Sequence, residues 1–430
     1  MHQTAEPANA GHNATNAEVT NHEAVARVFS EAAAERAFPG GVVWLAHGER
    51  LLLHRAFGST AYEAEVSRPV ASDTIYDIAS LSKLFTATAV LIAARAAGVD
   101  LKEPVARFLP QFRSTEQPAI ESITVRQLLD HSSGIEIAIQ SFTPRPTIEG
   151  AAARLHQGMV PVEGWIERIA QAPLHAPPGQ KVLYSCTNYF LLGRLVETWS
   201  HTALDQFIAE RLIAPLGMTR TGFRPLHRFA REQIAPAEID AATGHLWHGV
   251  VHDEAARAWE AAHSARNLKV SANSQDSAEG DVSAESVSAE SIVEDGIIGG
   301  GACGNAGVFS TAADLARFAR LWLDEGACGG QQIVAAEDVR HALTPSLRAD
   351  GYDQGLGWWL HVSSWMSLNA PSGTAGHTGF TGPTLFLSPG TRHVCIVLEN
   401  RVYPTRDGPP RLRFHRHIAE WLFEQAPLPA

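Results

Sequence analysis

Ser80 and Lys83 stand three residues apart at the head of the apolar run "DIASLSKLFTATAVLIAARAAG", residues 77–98. On a helix, positions i and i+3 share a face. A lysine there can take a serine proton only as the neutral amine. Burial and the positive end of the helix dipole both push toward that form. The pair therefore reads as a serine nucleophile with a lysine beside it; the plain alternative is a surface Ser and Lys. In "PPGQKVLYSCTNYFLLGRLVE", Tyr184 follows a Pro178-Gly179 turn and precedes a helix. As a phenolate beside a lysine cation it can act as a base; otherwise it is a packed core tyrosine. In "GHTGFTGPTLFLSPG", Gly376, Gly379 and Gly382 bring backbone close to a partner. His377 and Thr378 can donate hydrogen bonds there, and an N–H just after Gly379 can serve an oxyanion hole. The alternative is a Gly-rich turn.

The elements around these motifs read as α+β. Residues 1–20 are polar and read as disordered. A helix is expected from about Asn21 to Arg36, then a β-hairpin about Gly48 in "GVVWLAHGERLLLHRAFG". From Ser80 to about residue 345 the patterns are mainly helical, including "TVRQLLDHSSG" ended by Gly134 and "TAADLARFARLWLDEG" ended by Gly326. Short strands return in "QGLGWWLHV", "PTLFLSP" and "RHVCIVLEN", before a last helix over about Leu412 to Phe423. One antiparallel sheet from both chain ends, beside a helical subdomain with a cleft between them, follows. Residues 21–425 form that domain. Within it, 261–294 carry Ser-Ala-Glu at 277, 283 and 288 and read as a flexible insertion, or as a helix formed on a partner.

Taken in order, Ser-x-x-Lys, a Tyr-x-Asn-like element and His-Thr-Gly resemble the serine β-lactamase and penicillin-binding-protein family. The chain is similar to its class C-related group, which includes D-Ala-D-Ala carboxypeptidases and serine esterases. The likeness runs from about Pro39 to Leu422 and includes "FPGGVVWLAHGE", "ITVRQLLDHSSG", "NAGVFSTAADLARF", "GLGWW" and "ENRVYPT". It implies the family's antiparallel sheet and helical subdomain. Ser80 would be the nucleophile, Lys83 its partner and Tyr184 the general base. His377, Thr378 and Gly379 would line the substrate site. The N–H groups of Ser80 and Phe380 would form the oxyanion hole. Two positions depart from the pattern: Cys186 stands where the motif has asparagine, and His377 where it has lysine. A thiol cannot make the two-sided contacts of an amide, which argues against penicillin-like substrates.

The other features narrow the function. The chain has 430 residues and a formal net charge of −12, which argues against nucleic acid. No apolar run reads as a membrane span, that after Lys83 being cut by Arg95. The N-terminus lacks an apolar signal core, so the protein reads as cytoplasmic as written, or as periplasmic or secreted if a leader was removed. Only four of the 34 basic residues are lysines. The cysteines Cys186, Cys303, Cys328 and Cys395 fit no metal or redox spacing. His252, Asp253 and Glu254 are adjacent, a spacing that suits a structural or cleft-lining role better than a metal site. A metal-free, cofactor-free serine hydrolase acting on a small ester, amide or peptide is the expected function. A weakly active or inactive binding protein on the same fold is the alternative.

Overall fold

Gly40–His47 (β1) and Arg50–Gly58 (β2) form the expected hairpin, turned at Gly48 with φ +59°. That left-handed conformation suits glycine because it carries no Cβ. In the computed structural model, which describes residues 16–135, 137–142, 164–241, 243–263, 302–349 and 352–426, the other edge of β1 pairs with a strand from the far end of the chain. This strand is His393–Glu399 (β8), antiparallel, with Val43 opposite Val397. Beyond it lie Thr384–Ser388 (β7), Ala375–Thr378 (β6), Trp359–Leu360 (β5), Tyr352–Gln354 (β4) and Leu347–Ala349 (β3). The sheet has eight strands in the order β2-β1-β8-β7-β6-β5-β4-β3.

Every residue of β7 and β8 is buried, because both faces of the sheet are covered. With a side-chain period of two, Phe386, Cys395 and Val397 point to one face and Leu385, Leu387, Ile396 and Leu398 to the other. The first set packs with Phe29 of Asn16–Ala34 (α1) and with Phe414, Ile418 and Leu422 of Leu412–Gln425 (α5). The second joins the larger core built on Ser82–Ala97 (α2), Cys186–Ser200 (α3) and Ala312–Leu323 (α4). Helix α2 buries Leu84, Phe85, Ala87, Val90 and Leu91 and stops at Gly98, φ +67°. It is hydrophobic nearly all round, as a central helix must be. Residues 79–97 are apolar enough by length and composition to cross a bilayer, contrary to the sequence expectation, but the segment is mostly buried in this core.

The α+β architecture and the sheet built from both chain ends match the expectation. Helix α1 begins at Asn16, earlier than expected, so residues 16–20 of the expected disordered segment are helical; residues 1–15 lie outside the described part. The Ser-Ala-Glu segment also lies outside it, while 261–263 end a helix over 254–263. The helical middle holds three two-stranded ribbons that the apolar pattern does not show: Tyr76–Asp77 with Phe309–Ser310, Pro236–Ile239 with Leu246–His248, and Ala327–Cys328 with Gln331–Gln332. Strand β6 likewise hides in "AGHT", which carries no β-branched apolar residue to mark it.

Candidate active site

Asp77 shapes the turn that presents Ser80. Its Oδ1 accepts the Ala79 N–H at 2.8 Å, and Ala79 sits at φ +44°, uncommon for a residue with a Cβ. Its Oδ2 accepts the His252 N–H at 2.8 Å, and its carbonyl accepts Thr381 Oγ1 at 2.7 Å. One buried aspartate thus joins the turn before Ser80 to the two chain segments opposite it.

Helix α2 then carries Lys83 inward to full burial. The helix is stitched to 304–308: Thr86 Oγ1 donates to the Gly304 carbonyl at 2.7 Å, and Ser82 Oγ accepts the Val308 N–H at 3.1 Å. Lys83 Nζ donates to Ser80 Oγ at 3.0 Å, to the Asn305 carbonyl at 3.0 Å and to Cys186 Sγ at 3.4 Å. Those three acceptors match the three donors of an ammonium. Burial pulls the Lys83 pKa down, but the acidic groups of Cys186 and Tyr184 more than offset it, leaving it above the ordinary lysine range. Three acceptors around Nζ suit an ammonium better than the neutral amine considered above, which has one N–H donor fewer. A sequence pattern shows that a lysine is buried but not which groups surround it.

Tyr184 Oη donates to Ser80 Oγ at 2.7 Å. Desolvation raises its pKa, the Lys83 charge opposes the rise, and the net shift is upward. With the residue 42% exposed, solvent tempers that rise. The tyrosine is clamped by His131, which sequence reasoning missed. The His131 carbonyl accepts the Leu183 N–H at 2.8 Å, and its Nδ1 accepts the Ser185 N–H at 3.1 Å. Both chain neighbours of Tyr184 are thereby held. The rings of His131, Trp359 and His377 surround that of Tyr184, with centroids 4.8, 5.7 and 5.9 Å away.

His377 has no solvent exposure and stacks on Trp359 at 4.4 Å. Its Nδ1 donates to the Thr378 carbonyl at 2.8 Å. Burial first, and the Lys83 charge second, push its pKa down to about 3, so the ring is neutral. Asn188, two residues beyond Cys186, is committed elsewhere: its Oδ1 accepts Ser133 Oγ at 2.8 Å.

Ser80 opens onto a cavity of about 350 Å³, walled among others by Tyr184, Cys186, Phe380, Asp253, Glu254 and Arg406. Of the two readings of His252, Asp253 and Glu254, structural or cleft-lining, all three residues fit the second. No three His, Cys, Asp or Glu side chains among the described residues converge as a metal site. Arg406 is fully engaged, with Nη2 2.6 Å from Glu238 Oε2 and Nη1 2.8 Å from Glu254 Oε1. Phe380, half exposed, stacks on His252 at 5.7 Å. A hydroxyl held between an ammonium and a phenol at the edge of a cleft can be deprotonated and form a covalent bond to a carbonyl carbon.

Comparison with known proteins gives the family and the fold. A protein of Escherichia coli O157:H7 carrying the name "Putative D-alanyl-D-alanine carboxypeptidase" is 27% identical over 379 residues, 85% of this chain and 79% of that one. The solved structure of EstCE1, described as a hydrolase with promiscuous acyltransferase activity, superposes with a TM-score of 0.66 at 19% identity, covering 95% of this chain and 100% of that one. The D-alanine carboxypeptidase AmpC from Burkholderia cenocepacia gives 0.63 at 18% identity, covering 95% and 99%. The Beta-lactamase family model matches residues 25–420, and this chain belongs to that family.

Proposed function

We propose that this protein is a serine hydrolase that opens esters through an acyl-enzyme on Ser80. The observation that carries the reading is the position of Ser80 Oγ, 2.7 Å from Tyr184 Oη and 3.0 Å from Lys83 Nζ, in the cleft wall. The Lys83 ammonium lowers the cost of a Tyr184 phenolate. The phenolate takes the Ser80 proton as Oγ attacks the substrate carbonyl carbon. The N–H groups of Ser80 and Phe380 receive the resulting oxyanion. Collapse breaks the bond to the leaving group, which takes the proton back from Tyr184. Water repeats the sequence on the acyl-enzyme and frees Ser80, with Tyr184 again as base. The roles of Lys83 and Tyr184 are thus divided: one supplies charge, the other moves the proton.

The cleft favours neutral esters over substrates that need a cation for a carboxylate. His377 is neutral and enclosed, and Arg406 is occupied by Glu238 and Glu254. Asp253 and Glu254 add negative charge to the wall. Cys186 offers weak sulfur contacts where an asparagine would pair a substrate amide. Cleavage of cell-wall-type peptides is the second reading, supported by the name of the Escherichia coli relative.

Intact-protein mass spectrometry tests the assignment. Incubation with a fluorophosphonate should add one phosphonyl group to the wild type and none to Ser80→Ala. A p-nitrophenyl ester should be turned over rapidly and a penicillin slowly. Equal labelling of the Ser80→Ala protein would refute the nucleophile.

A further inference from the structure

We infer that Arg411 is a positioning residue of the oxyanion hole, acting through the peptide bond between Gly379 and Phe380. The inference rests on the reading of the Phe380 N–H as an oxyanion donor. That N–H has no hydrogen-bond partner among the described residues, and Phe380 lines the cavity of Ser80. The carbonyl of the same peptide unit, on Gly379, accepts Arg411 Nη2 at 2.7 Å and, more weakly, the Gly382 N–H at 3.2 Å. In a trans peptide the C=O and N–H point in opposite directions. A guanidinium gripping the carbonyl from behind therefore holds the N–H toward the cleft. A charge-assisted bond at the carbonyl also polarises the amide and makes its N–H a stronger donor.

Arg411 is itself well placed for this. It leads into α5, is nearly buried, and its Nε lies 2.8 Å from Glu399 Oε1 and 3.1 Å from the Gly382 carbonyl. One side chain thus grips both ends of the 379–382 turn. A Cβ on Gly382 would come within 2.2 Å of the Glu399 carboxylate, so the turn lies directly on this ion pair. On the cleft side, a Cβ on Gly379 would meet the Ile78 carbonyl at 2.6 Å, so the loop also abuts the turn before Ser80. The next carbonyl, on Phe380, is held by Arg401 Nη1 at 2.9 Å. Arg401 fixes the following peptide and not the donor itself, so its contribution is smaller.

The test uses the carbonyl stretch of the acyl-enzyme, read by isotope-edited infrared difference spectroscopy, together with steady-state kinetics. In the wild type the ester carbonyl should absorb at lower frequency than the same ester in water, as hydrogen bonding in an oxyanion hole requires. Removing one buried partner alone would strand the other charge, so two variants are compared after circular dichroism confirms folding. They are Arg411→Lys and the double variant Glu399→Gln/Arg411→Met. In both, the carbonyl band should move back toward the water value. kcat should fall about 10- to 100-fold, with KM within about twofold, and Arg411→Lys should retain more activity than the double variant. Arg401→Gln should show a smaller shift in the same direction. A low wild-type band that stays in place in both folded variants would overturn the role of Arg411 and leave the oxyanion reading intact. A wild-type band at the water position would remove the oxyanion reading, and this role with it.

Discussion

The two walls of the cleft are built on different principles. The helical wall arranges side chains: Lys83 and Tyr184 meet Ser80 Oγ at 3.0 and 2.7 Å, and Cys186 Sγ lies 3.4 Å from Lys83 Nζ. The sheet wall arranges backbone: the carbonyls of Gly379, Phe380 and Gly382 are gripped by Arg411 and Arg401, and Phe380 lines the cavity. Chemistry that moves a proton needs titratable side chains, while charge stabilisation needs only fixed dipoles. Substitutions on the helical wall should therefore change which reaction occurs and its pH dependence. Those on the sheet wall should change how fast it runs.

Ser80→Ala gives the largest expected effect. It should lower ester turnover at least about a thousandfold in a folded protein, because no acyl-enzyme can form; near-normal rates would end the argument for this wall. Tyr184→Phe comes next, with an expected loss of about 10²- to 10⁴-fold. Because the Tyr184 pKa lies above its ordinary value, the phenolate fraction grows with pH throughout the neutral range. Wild-type kcat/KM, corrected with Ser80→Ala for spontaneous hydrolysis, should rise from pH 7 to 9, and the rise should vanish in Tyr184→Phe. A rise that persists would assign the base to another group. Cys186→Asn restores an amide to the cleft and should raise penicillin or D-Ala-D-Ala peptide turnover relative to ester turnover by roughly tenfold. A flat ratio would show that residue 186 does not select the substrate.

His377→Gln should act mainly on stability. The unfolded histidine protonates near 6.5, whereas the folded one resists down to about 3. As pH falls between these values the unfolded state binds a proton that the folded state does not, so stability is lost on acidification. The cost is about 1.4 kcal/mol per pH unit. His131 and His415, also pushed down by burial, add to the same slope. Denaturant melts at pH 6 and 4.5 should show a steep fall in the wild type and a shallower one in His377→Gln. An unchanged slope would mean that His377 protonates without unfolding.

How much was legible follows the same division. Ser80, Lys83 and Tyr184, which the structure brings together, could be singled out because a three-residue spacing and a helix start mark them in local sequence. The acceptors that hold Lys83 could not, since Asn305 and Cys186 lie far along the chain. The backbone wall left almost no trace. Arg411 is one of thirty arginines, and Asp77 reaches Thr381 across 304 positions. His131 stood in a quoted stretch, "LLDHSSG", but its purpose is visible only when Leu183 and Ser185 dock on it. The large apolar strands were readable, whereas "AGHT" was not, because its residues pack by register and not by hydrophobicity.

The pairing of β1 with β8 also sets a timetable for synthesis. Val43 faces Val397, a separation of 397 − 43 = 354 residues. At about 5–20 residues per second on the ribosome, roughly 20–70 s pass before the partner strand exists. Until then the edge of β1 that this strand covers has no partner from its own chain, and an unpaired edge is open to strands of other nascent chains. The 379–382 turn emerges in the same late stretch, so the serine and lysine are made long before the loop that completes their cleft. A ribosome-stalled chain ending before residue 377 should remain catalytically silent however well its helices have formed.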